Sequence, residues 1–302
     1  MEITMNHIEI FNSNLNQNQH KRYERWTEYR TQIDNFLSPV LSDSSLEKNK
    51  ALIVGCGNLD DLNLKTITPI FKSVTLTDID LESVKKGVIL QDVSDTNLEY
   101  FRLELTGFEE SHFFEKLTQV IMECKNQACI QTYIHDHLIQ IEKYQFLKGN
   151  HYDLIIMSPI YTQLIYHQIL NITQTLREIG HDDKILEWLE SYILDLMPGV
   201  IERLNNNLIN ILSTNGRLVV ISDIFQSQYG TEFDLLIKKA IQSKKEMDKV
   251  YQYYLEKYGY GLGDFGLYHL DECMKTINYR WIIWPFDKDF SMVVKIKAYV
   301  RK

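Results

Sequence analysis

An α/β fold built on a mostly parallel sheet is predicted by three features of the 302-residue sequence. A short apolar run, Ala51-Leu52-Ile53-Val54, feeds a glycine turn at Gly55-Cys56-Gly57. Further short apolar runs alternate with helical patterns through the middle of the chain, which is how βαβ units read. Two final strand-like runs have no helix between them, so they form an antiparallel pair.

The elements follow in order. Residues 12–20 are rich in Asn and Gln and read as a polar loop or arm. Over residues 23–41, Tyr23, Trp26, Ile33, Phe36 and Leu37 recur at helical spacing, as in an amphipathic helix packed on a larger body. Residues 42–50 are a polar connector. Strands are expected at 51–54, 73–77, 100–105, 152–157 and 217–222, the last preceded by the turn signal Thr214-Asn215-Gly216. The closing pair is 276–284 and 292–300, joined by the loop at 285–289. Residues 1–50 form a helical extension and 51–302 one domain with helical insertions near 111–150 and 161–213. Pro198 is expected at the first turn of the last inserted helix, where proline is tolerated.

Composition narrows the function classes. The formal net charge is -9, which disfavours a nucleic-acid partner. Lys244, Lys245, Lys249 and Lys257 cluster, but Glu246, Asp248 and Glu256 dilute them, so the segment reads as a solvated helix face. Cys56, Cys124, Cys129 and Cys273 include no Cys-x-x-Cys pair and are expected as reduced thiols. No basic segment followed by an apolar run marks the N-terminus, and no stretch approaches the ~18 apolar residues of a membrane span. A cytoplasmic setting is expected.

Candidate site residues centre on the glycine turn. Gly55 and Gly57 let backbone N–H groups approach a ligand closely, and a helix expected just beyond favours an anionic group. Asp78 ends the second strand about 20 residues later, where a ribose-binding carboxylate belongs. Asp80 competes with it, and either carboxylate could instead cap the helix that follows.

Strand, Gly-x-Gly turn, acidic strand end and terminal antiparallel pair together resemble the class I S-adenosylmethionine-dependent methyltransferases. The likeness covers residues 51–302 outside the insertions. It implies a Rossmann-like seven-stranded, mostly parallel sheet with an antiparallel C-terminal hairpin, with S-adenosyl-L-methionine as the methyl donor. It places Gly55, Cys56 and Gly57 around the methionine part of the donor, Asp78 at the ribose hydroxyls and Ile79 under the adenine. Glu104 and Thr106, in the acidic segment after the third strand, fall near the adenine amine. Ser158-Pro159-Ile160-Tyr161 resembles the Asp/Asn/Ser-Pro-Pro-Tyr motif of amino-group methyltransferases. That makes Ser158, Pro159 and Tyr161 the candidate catalytic residues, with Ile160 in place of the second proline. Ile53 stands where the family has an acidic residue, and Leu59 replaces its third glycine.

The expected function is methyl transfer to a small-molecule acceptor, with transfer to a protein or nucleic-acid nitrogen as the alternative. A non-catalytic donor-binding module and a nicotinamide-dependent oxidoreductase are the remaining readings. Asp60 speaks against the last, because it would face and repel a pyrophosphate. His135 and His137 point to different helix faces, so no metal site is expected there. Cys56 lacks an adjacent base and reads as a packing residue. Trp26, Tyr29 and Arg30 read as an ordinary helix face that could also fold over the donor. His167 is a speculative base, and the aromatic stretch at 251–265 is expected to shape the acceptor pocket.

Overall fold

The computed structural model describes Asn16, residues 21–124 and residues 126–302; most of the polar arm at 12–20 lies outside them. Seven strands form one sheet: β1 (Lys50–Val54), β2 (Ser73–Asp78), β3 (Leu98–Arg102), β4 (Tyr152–Met157), β5 (Leu212–Gln228), β6 (Met274–Trp284) and β7 (Phe290–Arg301). Their spatial order is β3-β2-β1-β4-β5-β7-β6. The pairs β1–β2, β1–β4, β2–β3 and β4–β5 are parallel. β7 lies between β5 and β6 and runs antiparallel to both. This is the Rossmann-like sheet the sequence predicts, including its closing antiparallel pair.

Both faces of the sheet are covered, which is why its central strands read as continuous apolar runs rather than alternating ones. Ala51, Ile53, Leu154, Ile156, Val219 and Ile221 enter one core; Leu52, Val54, Ile155, Met157, Leu218 and Val220 enter the other. Of the helices, α1 (Arg22–Arg25), α2 (Thr27–Leu41), α3 (Leu64–Ile67) and α4 (Leu81–Leu90) lie before β3. Between β3 and β4 lie α5 (Phe113–Cys124) and α6 (Gln127–Gln140), and between β4 and β5 lie α7 (Tyr166–Glu178) and α8 (Asp183–Asn210). The stretch between β5 and β6 forms α9 (Glu232–Ala240), α10 (Lys244–Tyr258) and α11 (Leu262–Cys273). None of the described helices is long and apolar enough to cross a membrane.

Several local expectations need correction. Pro198 lies inside α8, which is capped at Asp182 instead. The buried stripe from Leu186 through Met197 to Leu208 continues past the proline, so packing outweighs one lost backbone bond. Thr214-Asn215-Gly216 does not precede β5 but lies within it, where the pairing with β4 shifts register between Tyr152 and Leu154. Cys124 and Cys129 form a disulfide that closes the turn between α5 and α6. That pairing comes from two helix ends meeting, which sequence spacing alone does not reveal. Cys56 and Cys273 are free.

Candidate functional site

The strand order reverses between β1 and β4, and ligands of open α/β sheets bind outside the carboxyl ends of the strands at such a point. A cavity opens there. It is lined by Gly55 to Asn58, Asp60 and Asp61 after β1, and by Thr77, Asp78 and Ile79 at the end of β2. Leu103 to Thr106 line it after β3, and Ser158, Pro159, Ile160, Gln163 and Leu164 after β4. Arg22, Trp26, Trp284 and Phe286 close one side.

The glycine turn is built by backbone bonds to β2. Gly55 N and Cys56 N both donate to Thr77 O at 3.1 Å. Gly55 and Gly57 adopt left-handed φ of 72° and 49°. A Cβ on Gly57 would meet only Asn16 Oδ1, at 3.6 Å, so it would project into the cavity. Leu59 also takes a left-handed φ, 58°, while its side chain is fully buried. Leucine thus holds a backbone conformation that favours glycine, at a strain on the order of 1 kcal/mol.

The expected helix after the turn is absent. Residues 57–63 form no helix, and α3 contributes a single turn of four residues. Gln91 holds this irregular stretch in place. Its Nε2 donates to Leu59 O and Leu62 O, both at 2.8 Å, and its Oε1 accepts from Leu64 N at 2.9 Å. Gly87, one turn earlier on α4, brings the helix against the Asn58 carbonyl. A Cβ there would stand 2.2 Å from that oxygen. Gly87→Ala is expected to lower stability by about 1–2 kcal/mol despite the better helix propensity of alanine. It should also weaken ligand binding in the cavity; urea unfolding with a binding titration checks both. Neither residue belongs to a motif, and only the packing of α4 on the turn reveals them.

Asp78 faces the turn. Its Oδ2 accepts from Gly57 N at 2.7 Å and its Oδ1 from Asp80 N at 2.9 Å. Burial raises its pKa, and those N–H bonds oppose the rise. Asp80 instead caps α4, accepting from Ser83 N at 3.2 Å. The two acidic candidates therefore separate: Asp78 lines the cavity and Asp80 begins a helix. Glu104 lines the cavity too, but its carboxylate closes its own loop, accepting from Thr106 N at 2.7 Å and Gly107 N at 2.6 Å. The Cys56 thiol is pushed up by burial and by Asp78, which keeps it a protonated packing group.

The N-terminal helices supply more than a packing face. Arg22 Nε donates to Asp60 Oδ2 at 2.7 Å, and its guanidinium lies 4.6 Å from the Trp26 ring centroid. Trp26 is wedged against Trp284 and donates from Nε1 to Pro285 O at 2.9 Å. Arg30 does not line the cavity; it donates to Asp60 O at 2.7 Å from behind the turn. Arg22, Asp60 and Asp61 are cavity residues that motif matching passes over.

Of the three candidate catalytic residues, the structure brings two into the cavity. Ser158 and Pro159 line it. Tyr161 corrects the expectation: it is fully buried, and its hydroxyl donates to Asn205 Oδ1 at 2.7 Å. Gly266 on α11 packs against its ring so closely that a Cβ there would stand 2.3 Å away. The ring is thus a core contact and cannot stack on an acceptor in the cavity. His167 is also absent from the described lining residues. His137 is buried, stacks on Phe108 and shares a 2.9 Å hydrogen bond with Ser111; burial lowers its pKa to about 4. Among the described residues, no group of three or more His, Cys, Asp or Glu side chains is placed to hold a metal ion.

No family model matches the chain, and no curated protein matches it. Solved structures with a similar fold include the N-methyltransferase NodS of Bradyrhizobium japonicum WM9. It is 11% identical, with 91% of this chain and 97% of that chain covered and a TM-score of 0.45. A SAM-dependent methyltransferase of Anabaena variabilis is 13% identical, with 97% and 95% covered and a TM-score of 0.42. One from Leishmania major is 11% identical, with 90% and 72% covered and a TM-score of 0.41.

Proposed function

We propose that the protein is an S-adenosylmethionine-dependent methyltransferase acting on a small molecule. The observation that carries this reading is Asp78, which ends β2 and faces the Gly57 turn across 2.7 Å, beside the sheet's reversal point. The Asp78 carboxylate keeps acceptor capacity beyond its backbone bonds, which suits a vicinal diol. The charge of the cavity supports the choice of donor. Asp60, Asp61, Asp78 and Glu104 line it against Arg22. Four carboxylates and one guanidinium repel a pyrophosphate and attract a sulfonium cation.

The residues present fit such a donor. Ser158 and Trp284 line the cavity, and the buried Trp284 Nε1 has no hydrogen-bond partner, a polar atom left over beside the site. Asp78 would hold the ribose and Ile79 would pack under the adenine. The glycine turn, Arg22 and Trp26 would enclose the amino-acid end. The sulfonium supplies an activated methyl group, so the protein's work is to align donor and acceptor and to exclude water. Trp26, Trp284 and Phe286 wall the site with aromatic surface that does the excluding.

Isothermal calorimetry is expected to show binding of S-adenosylmethionine and S-adenosylhomocysteine, and none of a nicotinamide dinucleotide. Absence of binding by both sulfur ligands would sink the reading.

A further inference from the structure

Asp60, Asp61, Asp78 and Glu104 all line the cavity, but only one of them is uncommitted. Asp60 accepts from Arg22 Nε at 2.7 Å. Asp78 accepts from Gly57 N and Asp80 N, and Glu104 from Thr106 N and Gly107 N. Asp61 differs. Among the described residues no cation bonds to it, because the Arg22 guanidinium bonds to Asp60. It is 8% exposed, and the Ser158 hydroxyl stands beside it.

Its position follows from the packing of two loops. Ser158 N donates to Val54 O at 3.0 Å, and a Cβ on Gly55 would stand 2.5 Å from Ile160 Cγ2. The loop after β4 therefore lies directly on the glycine turn. Asp61 and Asp78 both act on the Cys56 thiol, so both carboxylates lie close to that turn. A donor held by its ribose at Asp78 and by its amino-acid end at the turn carries its sulfur between the two. A sulfonium has no proton to donate, so it gains only from nearby charge and needs no direct contact.

We propose that Asp61 is the counter-ion of the donor's sulfonium, and the residue that makes the site favour the charged methyl donor over its neutral product, S-adenosylhomocysteine. This rests on the donor reading above. Burial raises the Asp61 carboxyl to about 6. The groups around it are the Arg22–Asp60 pair, the Tyr29 hydroxyl and the Cys56 thiol. Burial pushes the last two well up, so they keep their protons near neutrality. A cation nearby favours the carboxylate, so donor binding expels the proton that Asp61 holds below about 6. By reciprocity, donor affinity rises with pH through the same window. The product carries no charge at sulfur and does not share the rise. Methyl transfer thus leaves a buried carboxylate uncompensated, which weakens the hold on the product.

The test uses the full-length chain, titrated calorimetrically with S-adenosylmethionine and S-adenosylhomocysteine at about pH 5 and about pH 7, either side of the Asp61 value. The ratio of donor to product affinity is expected to rise about fivefold or more between them. In Asp61→Asn the ratio should change less than about twofold, with S-adenosylhomocysteine bound within about threefold of its parent affinity. The variant meets the same ligands, so their own titration cancels. Asp223→Asn is the control, because burial raises Asp223 to about 6 as well but it does not line the cavity. That variant should keep the full rise. A second measurement needs no variant. Near pH 6, in two buffers of different ionisation heat, the parent should release protons on binding the donor and none on binding the product. A ratio flat with pH in the parent, an equal rise in Asp61→Asn, or equal proton release with both ligands overturns the proposal and leaves the donor reading intact. Failure of both ligands to bind overturns both.

Discussion

Asp78→Ala is expected to weaken S-adenosylhomocysteine binding by about a hundredfold or more, equivalent to about 3 kcal/mol. The size follows from the hydrogen bonds at stake. Bonds from ribose hydroxyls to an ionised carboxylate are charge-assisted, each worth about 1.5–3 kcal/mol, and one carboxylate can accept two. The carboxylate is also oriented before any ligand arrives, by Gly57 N at 2.7 Å and Asp80 N at 2.9 Å. Alanine therefore removes both the acceptor and one anchor of the glycine turn. Asp80→Asn separates this effect from general loosening, because Asp80 caps α4 through Ser83 at 3.2 Å. Because asparagine is about as good an N-cap as aspartate, that variant should lose only about a few tenths of a kcal/mol and keep most of its affinity. Calorimetric titration of both variants is the measurement. An Asp78→Ala protein that binds as tightly as the parent would remove Asp78 from the ribose.

The contrast between these two aspartates shows what the sequence made legible. Apolar runs ending in Gly55 and in Asp78 fix the strand, the turn and the acidic end, because each signal is local. The closing strands were equally plain from their β-branched and aromatic runs. The support of the turn is not local. Gln91 reaches back to Leu59, Leu62 and Leu64, and Gly87 admits the Asn58 carbonyl; nothing in either segment alone points there. The turn leads into an irregular stretch because this side-chain scaffold satisfies its backbone groups, where the motif suggested a helix.

The surroundings of the loop after β4 were less legible for the same reason. Tyr161 matched a motif position, yet Gly266 and Asn205 capture its ring and hydroxyl from helices far along the chain. Asp61 sits in the glycine-turn segment, but the Ser158 hydroxyl beside it arrives from the loop after β4. Asp223 belongs to a strand whose pairing with β7 shifts register just after it. Side chains gathered from four segments leave no spacing signature.

Asp61→Asn is expected to stabilise the ligand-free protein at neutral pH by about 2–3 kcal/mol. The carboxyl is raised from 3.8 to about 6, first by burial, with the neighbouring Asp60 charge adding to the rise. Its own backbone N–H, Arg22 and Ser158 oppose the shift without cancelling it. Between those two values the native state holds more protons than the unfolded chain, so stability falls as pH rises through that window. Above about 6 the loss is complete, and asparagine, of nearly the same shape, does not incur it. The advantage of the variant should therefore be largest near neutral pH and shrink toward zero by about pH 4, below the unfolded value. Urea unfolding of parent and variant at both pH values reads this directly. A variant no more stable than the parent at neutral pH would show that Asp61 is already compensated inside the fold. The expected result instead makes Asp61 a charge kept beside the cavity at the expense of stability.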